Sequence, residues 1–130
     1  VVNYVSESKK ACGSRAQLKV IIESGELKTD ALITQATELA IEGGADFVKT
    51  STGKVAVNAT LESTKTMLTA IKNSNKRVGF KAAGGVKTVA DASDYLALAR
   101  AIMGDDYLQA NTFRFGASSL LSDVYKTIGK

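Results

Sequence analysis

Four short stretches rich in β-branched and aromatic residues punctuate the chain: LKVIIE (18–23), DFVKTS (46–51), RVGFKA (77–82) and TFRFGA (112–117). Mostly apolar runs of this length read as strands buried in a parallel sheet. Between them, apolar residues recur at the three- and four-residue spacing of a helix. Thr29 can cap a helix with Leu32, Ile33, Ala36, Leu39 and Ala40 on one face, stopped by Gly43-Gly44. Thr60 can cap a second, with Met67, Leu68 and Ile71 turned inward. Thr88 and Asp91 form a T-x-x-D capping pattern ahead of Ala92, Leu96, Ala99 and Ile102, with Gly104 at the end. Ser118 or Ser119 starts a last helix bearing Leu121, Val124, Tyr125 and Ile128. The opening VVNYV (1–5) reads as one further strand.

The order β-α-β-α-β-α-β-α advances in even steps. Lys19 to Lys49 is 30 residues, Lys49 to Lys81 is 32, and Lys81 to Arg114 is 33. Each matches a βα repeat of roughly 30 residues. Alternation of this kind implies an α/β fold, a parallel sheet covered by helices. An open doubly wound sheet and a TIM (β/α)8 barrel both satisfy it. A barrel takes eight units over about 250 residues, so residues 1–130, read as a single domain, would form a partial barrel of about four to five βα units.

Composition narrows the chemistry. With 45% hydrophobic and 23% charged residues, the chain is an ordinary globular sequence. Its net charge of +4 is mild, and the basic residues are scattered rather than striped among aromatics. That argues against nucleic acid as a partner and suits an anionic substrate such as a phosphate ester. Cys12 is the single cysteine, so no internal disulfide forms and a reducing compartment is expected. No stretch approaches the roughly 20 apolar residues of a membrane span, and no signal peptide opens the sequence; a soluble cytoplasmic protein is expected. There is no histidine, which excludes Ser-His-Asp and Cys-His sites and histidine-ligated metals. Proline is also absent, with no functional account to offer for it.

Lys19, Lys49 and Lys81 interrupt three of the apolar runs. Any one lysine is well explained by snorkelling or pairing with a carboxylate. Three in successive units are harder to explain so. In parallel α/β folds, functional groups gather at the C-terminal ends of strands. Lys49 and Lys81 fall at the last positions of their runs, followed by T-S-T-G and A-A-G-G. A free lysine has a pKa near ~10.4, and desolvation or a neighbouring cation lowers it enough to leave a nucleophilic amine. Equivalent positions on adjacent strands lie ~4.8 Å apart, so one lysine can depress another. STGK (51–54), AGG (83–85) and GASS (116–119) each follow a strand. Singly they are turns; together, beside the lysines, they suit backbone capture of a phosphate.

The stretches LKVIIESGELK (18–28), GADFVKTSTGKVAVNAT (44–60), VGFKAAGGVKT (78–88) and FRFGASSLL (113–121) closely resemble the 2-deoxyribose-5-phosphate aldolase family, from about residue 17 to the C-terminus. The resemblance implies a TIM barrel and a class I aldolase that joins acetaldehyde to glyceraldehyde 3-phosphate without metal or other cofactor. By position it implies that Lys49 is the Schiff-base lysine and Lys81 the second lysine, which lowers the pKa of the first and relays protons. It further implies that Lys19 and Thr50 line the site, and that Gly53, Lys54, Gly84, Gly85, Ser118 and Ser119 bind the substrate and its phosphate. The family's catalytic aspartate is expected just before Val1-Val2, and Asn3–Gln17 is shorter than the family's fourth strand, loop and helix. Ala82 and Leu61 stand where the family has proline. The alternative reading is a non-catalytic phosphate-binding or assembly module. A sheet with open edges, and an inward face carrying Ile21, Phe47 and Phe80, further predicts a homo-oligomer.

Overall fold

The computed structural model describes residues 1–130. Helix α1 (Val2–Cys12) leads into β1 (Lys19–Ile21), a one-turn helix α2 (Ser24–Leu27) and α3 (Asp30–Glu42). Then come β2 (Phe47–Lys49), α4 (Leu61–Ser74), β3 (Gly79–Ala83) and α5 (Val89–Met103). A 3-10 turn (Asp105–Tyr107), β4 (Phe113–Gly116) and α6 (Leu120–Thr127) complete the chain. The strands form one parallel sheet in chain order, β1-β2-β3-β4.

The helices start where their caps say they should. The Thr29 hydroxyl accepts from the Leu32 amide. Thr60 and Ser63 bond reciprocally at the head of α4, as do Thr88 and Asp91 at the head of α5. Such caps satisfy amides that have no partner within the helix.

The core decides between the two α/β architectures. Its 18 buried residues form one cluster in which Val48, Phe80, Ala82 and Phe113 of the sheet meet Ile33, Ala40 and Ile41 of α3, Met67, Leu68 and Ile71 of α4, and Ala92, Tyr95 and Ala99 of α5. All three long helices therefore cover the same face. A doubly wound sheet would carry helices on both faces and reverse its strand order. Sequential strands with helices on one side are an arc of a barrel wall. Phe80 belongs to this helix-covered face, so it does not lie on the inward face with Ile21 and Phe47.

The opening segment corrects the sequence reading. Val1–Val5 is not a strand: α1 begins at Val2, and Val5 is buried against α3 at Gly43, where a β-carbon would fall 2.5 Å from Val5 Cβ. Five residues with three valines resemble a strand in isolation, but S-E-S-K-K-A-C continues them as a helix, which Gly13 ends with a positive φ of 58°. Asn3–Gln17 is accordingly the helix and turn before β1, not a contracted strand, loop and helix. Four strands, rather than five, make the sheet. The Asp46 carboxylate pins this junction, accepting from Lys9 Nζ at 2.6 Å and from the Leu18 amide at 2.7 Å. Burial works to raise its pKa, but these bonds outweigh it and hold the carboxyl below the usual range. No helix is long and apolar enough to cross a membrane.

Candidate active site

Residues paired across a parallel sheet point to the same face, and alternate residues along one strand share it. Ile21, Lys49, Lys81 and Arg114 are successive register partners across all four strands. Lys19, Phe47 and Gly79 form the row below, on the same face, opposite the helices. The inner surface thus carries four cations. The chain's three ion pairs, Lys9–Asp46, Lys10–Glu7 and Arg100–Asp105, involve none of them.

Two glycines make room for this arrangement. A β-carbon at Gly79 would fall 2.4 Å from the Phe47 ring, and one at Gly116 would fall 2.8 Å from Lys81 Cε. The Lys81 side chain therefore lies across β4. The Arg114 guanidinium sits 4.2 Å from the centre of the Phe47 ring, and its Nε donates to the Ala110 carbonyl at 2.8 Å. This stacking explains why Phe47 is only 1% exposed on a face that is otherwise open.

Burial, followed by the charges of Lys19 and Lys49, contact with the Lys19 side chain, and the charge of Arg114, lowers the pKa of Lys81 from its ordinary value of 10.5. Each of these disfavours the charged amine. Lys19 is the foremost of the charged neighbours of Lys81. Lys81 is not at a strand end. It is the central residue of β3, which continues to Ala83.

Above the lysine row, three loops enclose a cavity of about 420 Å³. It is lined by Lys49, by Thr52-Gly53-Lys54 after β2, by Ala83–Lys87 after β3 and by Gly116–Ser119 after β4. Lys49, Lys54 and Lys87 all line it, and no carboxylate does. By contrast, the cavities flanking α3 and α4 are lined by Asp30 and Glu62. The amides of Gly53, Gly85, Ser118 and Ser119 donate to no protein acceptor. The Ser119 side chain, at the head of α6, makes no capping bond. Such amides and ammonium groups can together hold an anion.

The structure thus brings Lys49, Gly53, Lys54, Gly84, Gly85, Ser118 and Ser119 around one cavity, with Lys81 and Lys19 on the adjoining sheet face. Thr50 is not among the lining residues. It is fully buried, and its hydroxyl accepts from the Ala83 amide at 3.0 Å and donates to the Ala83 carbonyl at 3.2 Å. The Gly84 amide is likewise committed, donating to the Gly116 carbonyl at 3.3 Å. Sequence reasoning missed Lys87 and Asn58 in the lining, and Arg114 in the cation row. Lys87 was findable, since it directly follows AGGV. It also missed Glu23, which has a left-handed backbone (φ 52°) and a carboxylate that accepts from the Thr52 amide at 3.1 Å.

A one-sided parallel βα arc, with unpaired lysines on its inner face and a carboxylate-free cavity at the C-terminal ends of its strands, defines a barrel-type lysine site. Residues 1–126 match the family model described as DeoC/LacD family aldolase. The chain belongs to that family. It is 56% identical over 128 residues to the deoxyribose-phosphate aldolase of Agrobacterium fabrum, covering 98% of this chain and 49% of that relative. The chain therefore spans about half the length of the curated relative it matches. Among solved structures, the apo-form of a proposed deoxyribose-phosphate aldolase from Toxoplasma gondii ME49 superposes with a TM-score of 0.87 at 31% identity, over 96% of this chain and 50% of that one. The tetrameric deoxyribose phosphate aldolase of Aeropyrum pernix shares the fold at 24% identity, with a TM-score of 0.73, over 99% of this chain and 49% of that one.

Proposed function

We propose that the chain carries the Schiff-base and phosphate-binding part of a class I aldolase that cleaves 2-deoxyribose 5-phosphate to glyceraldehyde 3-phosphate and acetaldehyde. The observation that carries this reading is Lys49 at the floor of a three-loop cavity lined by lysines and free amides, without a carboxylate. In this reading the neutral Lys49 amine attacks the aldehyde carbon, and the carbinolamine loses water to give an iminium. The substrate's C3 hydroxyl gives up its proton, and the C2–C3 bond breaks. Its electron pair flows into the iminium, forming an enamine and releasing glyceraldehyde 3-phosphate. Protonation of the enamine carbon and hydrolysis then free acetaldehyde and Lys49. Lys81, an amine that holds its proton loosely, is the nearby group able to carry protons between these steps. Acetaldehyde release from 2-deoxyribose 5-phosphate, followed by a coupled reductase, tests the reading. Phosphate binding with neither turnover nor a borohydride-trappable adduct would favour the binding-module alternative.

Lys54, Lys87 and the amides of Gly53, Gly85, Ser118 and Ser119 are the groups proposed to hold the phosphate. Inorganic phosphate should therefore shift those four amide resonances, with an affinity that weakens as sodium chloride is raised. Titration that moves none of them would remove the phosphate subsite from the proposal.

A cytoplasmic homo-oligomer is also part of the proposal. Within this chain β1 and β4 each pair with one strand only. Tyr4 on α1, and Leu121 and Tyr125 on α6 with Ile128 just beyond it, are exposed at the flanks. Unpaired edges and apolar flanks favour association. Two inner faces cannot simply meet, because each brings Lys19, Lys49, Lys81 and Arg114 against the same four cations. The flanks and edges are the better contact. Sedimentation should show a dimer or larger species at micromolar concentration; a compact monomer would sink this.

A further inference from the structure

We propose that Thr50 is a positioning residue whose hydroxyl sets the spacing between the Lys49 strand and the Gly84-Gly85 loop. The inference rests on the phosphate-site reading above, and its structural half stands apart from it. The observation is a substitution in the β2–β3 ladder. The Gly79 amide donates to the Asp46 carbonyl at 2.8 Å. Parallel ladders advance two residues at a time, so the rung four residues on would join the Ala83 amide to the Thr50 carbonyl. That carbonyl is engaged elsewhere, accepting from the Ser24 amide on the β1 side at 2.8 Å. The Ala83 amide instead reaches the Thr50 hydroxyl at 3.0 Å, and the hydroxyl returns a bond to the Ala83 carbonyl at 3.2 Å. The Thr50 amide still donates to the Lys81 carbonyl of β3 at 3.1 Å, so only its carbonyl is turned to the β1 side, and the side chain supplies the missing rung.

The location gives this rung its consequence. Thr50 follows Lys49 directly, and Ala83 directly precedes Gly84 and Gly85, whose φ values are 82° and 88°. One buried hydroxyl therefore ties the chain beside the proposed nucleophile to the loop whose Gly85, with its free amide, lines the cavity. The Ala83 carbonyl also accepts from the Ala59 amide at 3.2 Å, and Asn58 packs on Gly84, so the loop before α4 is held at the same joint. A serine would keep the hydroxyl but lose the methyl that restricts its rotamer. Valine would keep the shape and leave the Ala83 amide without a partner.

The test compares Thr50→Val with Thr50→Ser in the 130-residue chain. In Thr50→Val the Ala83 amide should lose most of its protection from hydrogen exchange. Phosphate affinity, read by amide titration, should fall about tenfold, the scale of one lost hydrogen bond. That fall should exceed any loss of acetaldehyde trapping at Lys49, since acetaldehyde has no phosphate to be held. Thr50→Ser should recover both protection and affinity to within about threefold of the parent. Wild-type exchange at Ala83 in Thr50→Val would overturn the rung. Intact rung loss with unchanged phosphate affinity, or an equal loss of trapping, would overturn its positioning role. If the parent chain itself binds no phosphate, the functional reading and the positioning role that rests on it both fail, and amide exchange still decides the rung.

Discussion

Acetaldehyde and borohydride together are expected to leave one ethyl group on the chain, and peptide mapping is expected to place it on Lys49. Several lysines share the inner face, so the outcome is not trivial. Lys49 lines the cavity beneath the three loops, whereas the Lys81 side chain is turned along β4 over Gly116 and does not line it. The nucleophile must reach a carbonyl carbon held by a distant phosphate, and only Lys49 has both a strand-end position and a place in that cavity. Lys49→Ala should reduce any turnover by more than about a thousandfold, the scale lost when a covalent nucleophile is removed. An adduct mapping to Lys81 instead would exchange the two roles. It would also make the depressed amine the attacking one.

Replacing Lys81 by Met should move activity and stability in opposite directions. Turnover should fall by about a hundredfold, in the range of lost proton transfer. Stability should increase at pH 7. The sign follows from proton binding: in the folded chain Lys81 titrates below its ordinary 10.5, so between those two values the unfolded chain binds more protons at this group. Its contribution to stability therefore rises with pH across that window and is a penalty below it. Methionine keeps the stem that packs over Gly116 and removes the penalty. Melting curves should show a gain of a few degrees at neutral pH that shrinks toward pH 10. A melting temperature lowered by Lys81→Met at pH 7 would refute this account of the cation row.

Much of this architecture could be read from local signals, because the groups that set it are local. Thr29, Thr60 and Thr88 cap the helices they precede, and three of the apolar runs contain their strands whole, while β3 continues past its run to Ala83. The site was legible where a glycine-rich turn followed a strand directly, as in STGK, AGG and GASS. What could not be read depended on the third dimension. Val1–Val5 has the composition of a strand, but its conformation is settled by packing of Val5 on Gly43. Phe80 and Phe47 look alike in sequence, and only the register sends one to the helices and the other beneath Arg114. Thr50 stands inside the KTSTG motif, and its neighbours line the cavity. Nothing in the sequence shows that the Thr50 carbonyl is taken by Ser24 just there, leaving its hydroxyl to meet Ala83.

The sheet runs in chain order, and that governs how the molecule assembles itself. Each strand pairs with the next in sequence, and each rung closes a loop of about thirty residues, from Lys19 to Phe47, Phe47 to Gly79 and Phe80 to Phe113. No step waits for distant parts of the chain to meet. Growth can pass from one βα unit to the next as the polypeptide emerges, much as stacked repeats propagate. The interior unit, β2 with α4 and β3, has neighbours on both sides and should be the last to open. In the 130-residue chain on its own, the outer strands have one neighbour each and should fray first. The lysine pair is thus borne by the most durable strands, and the serines that receive α6 sit beside one of the least durable.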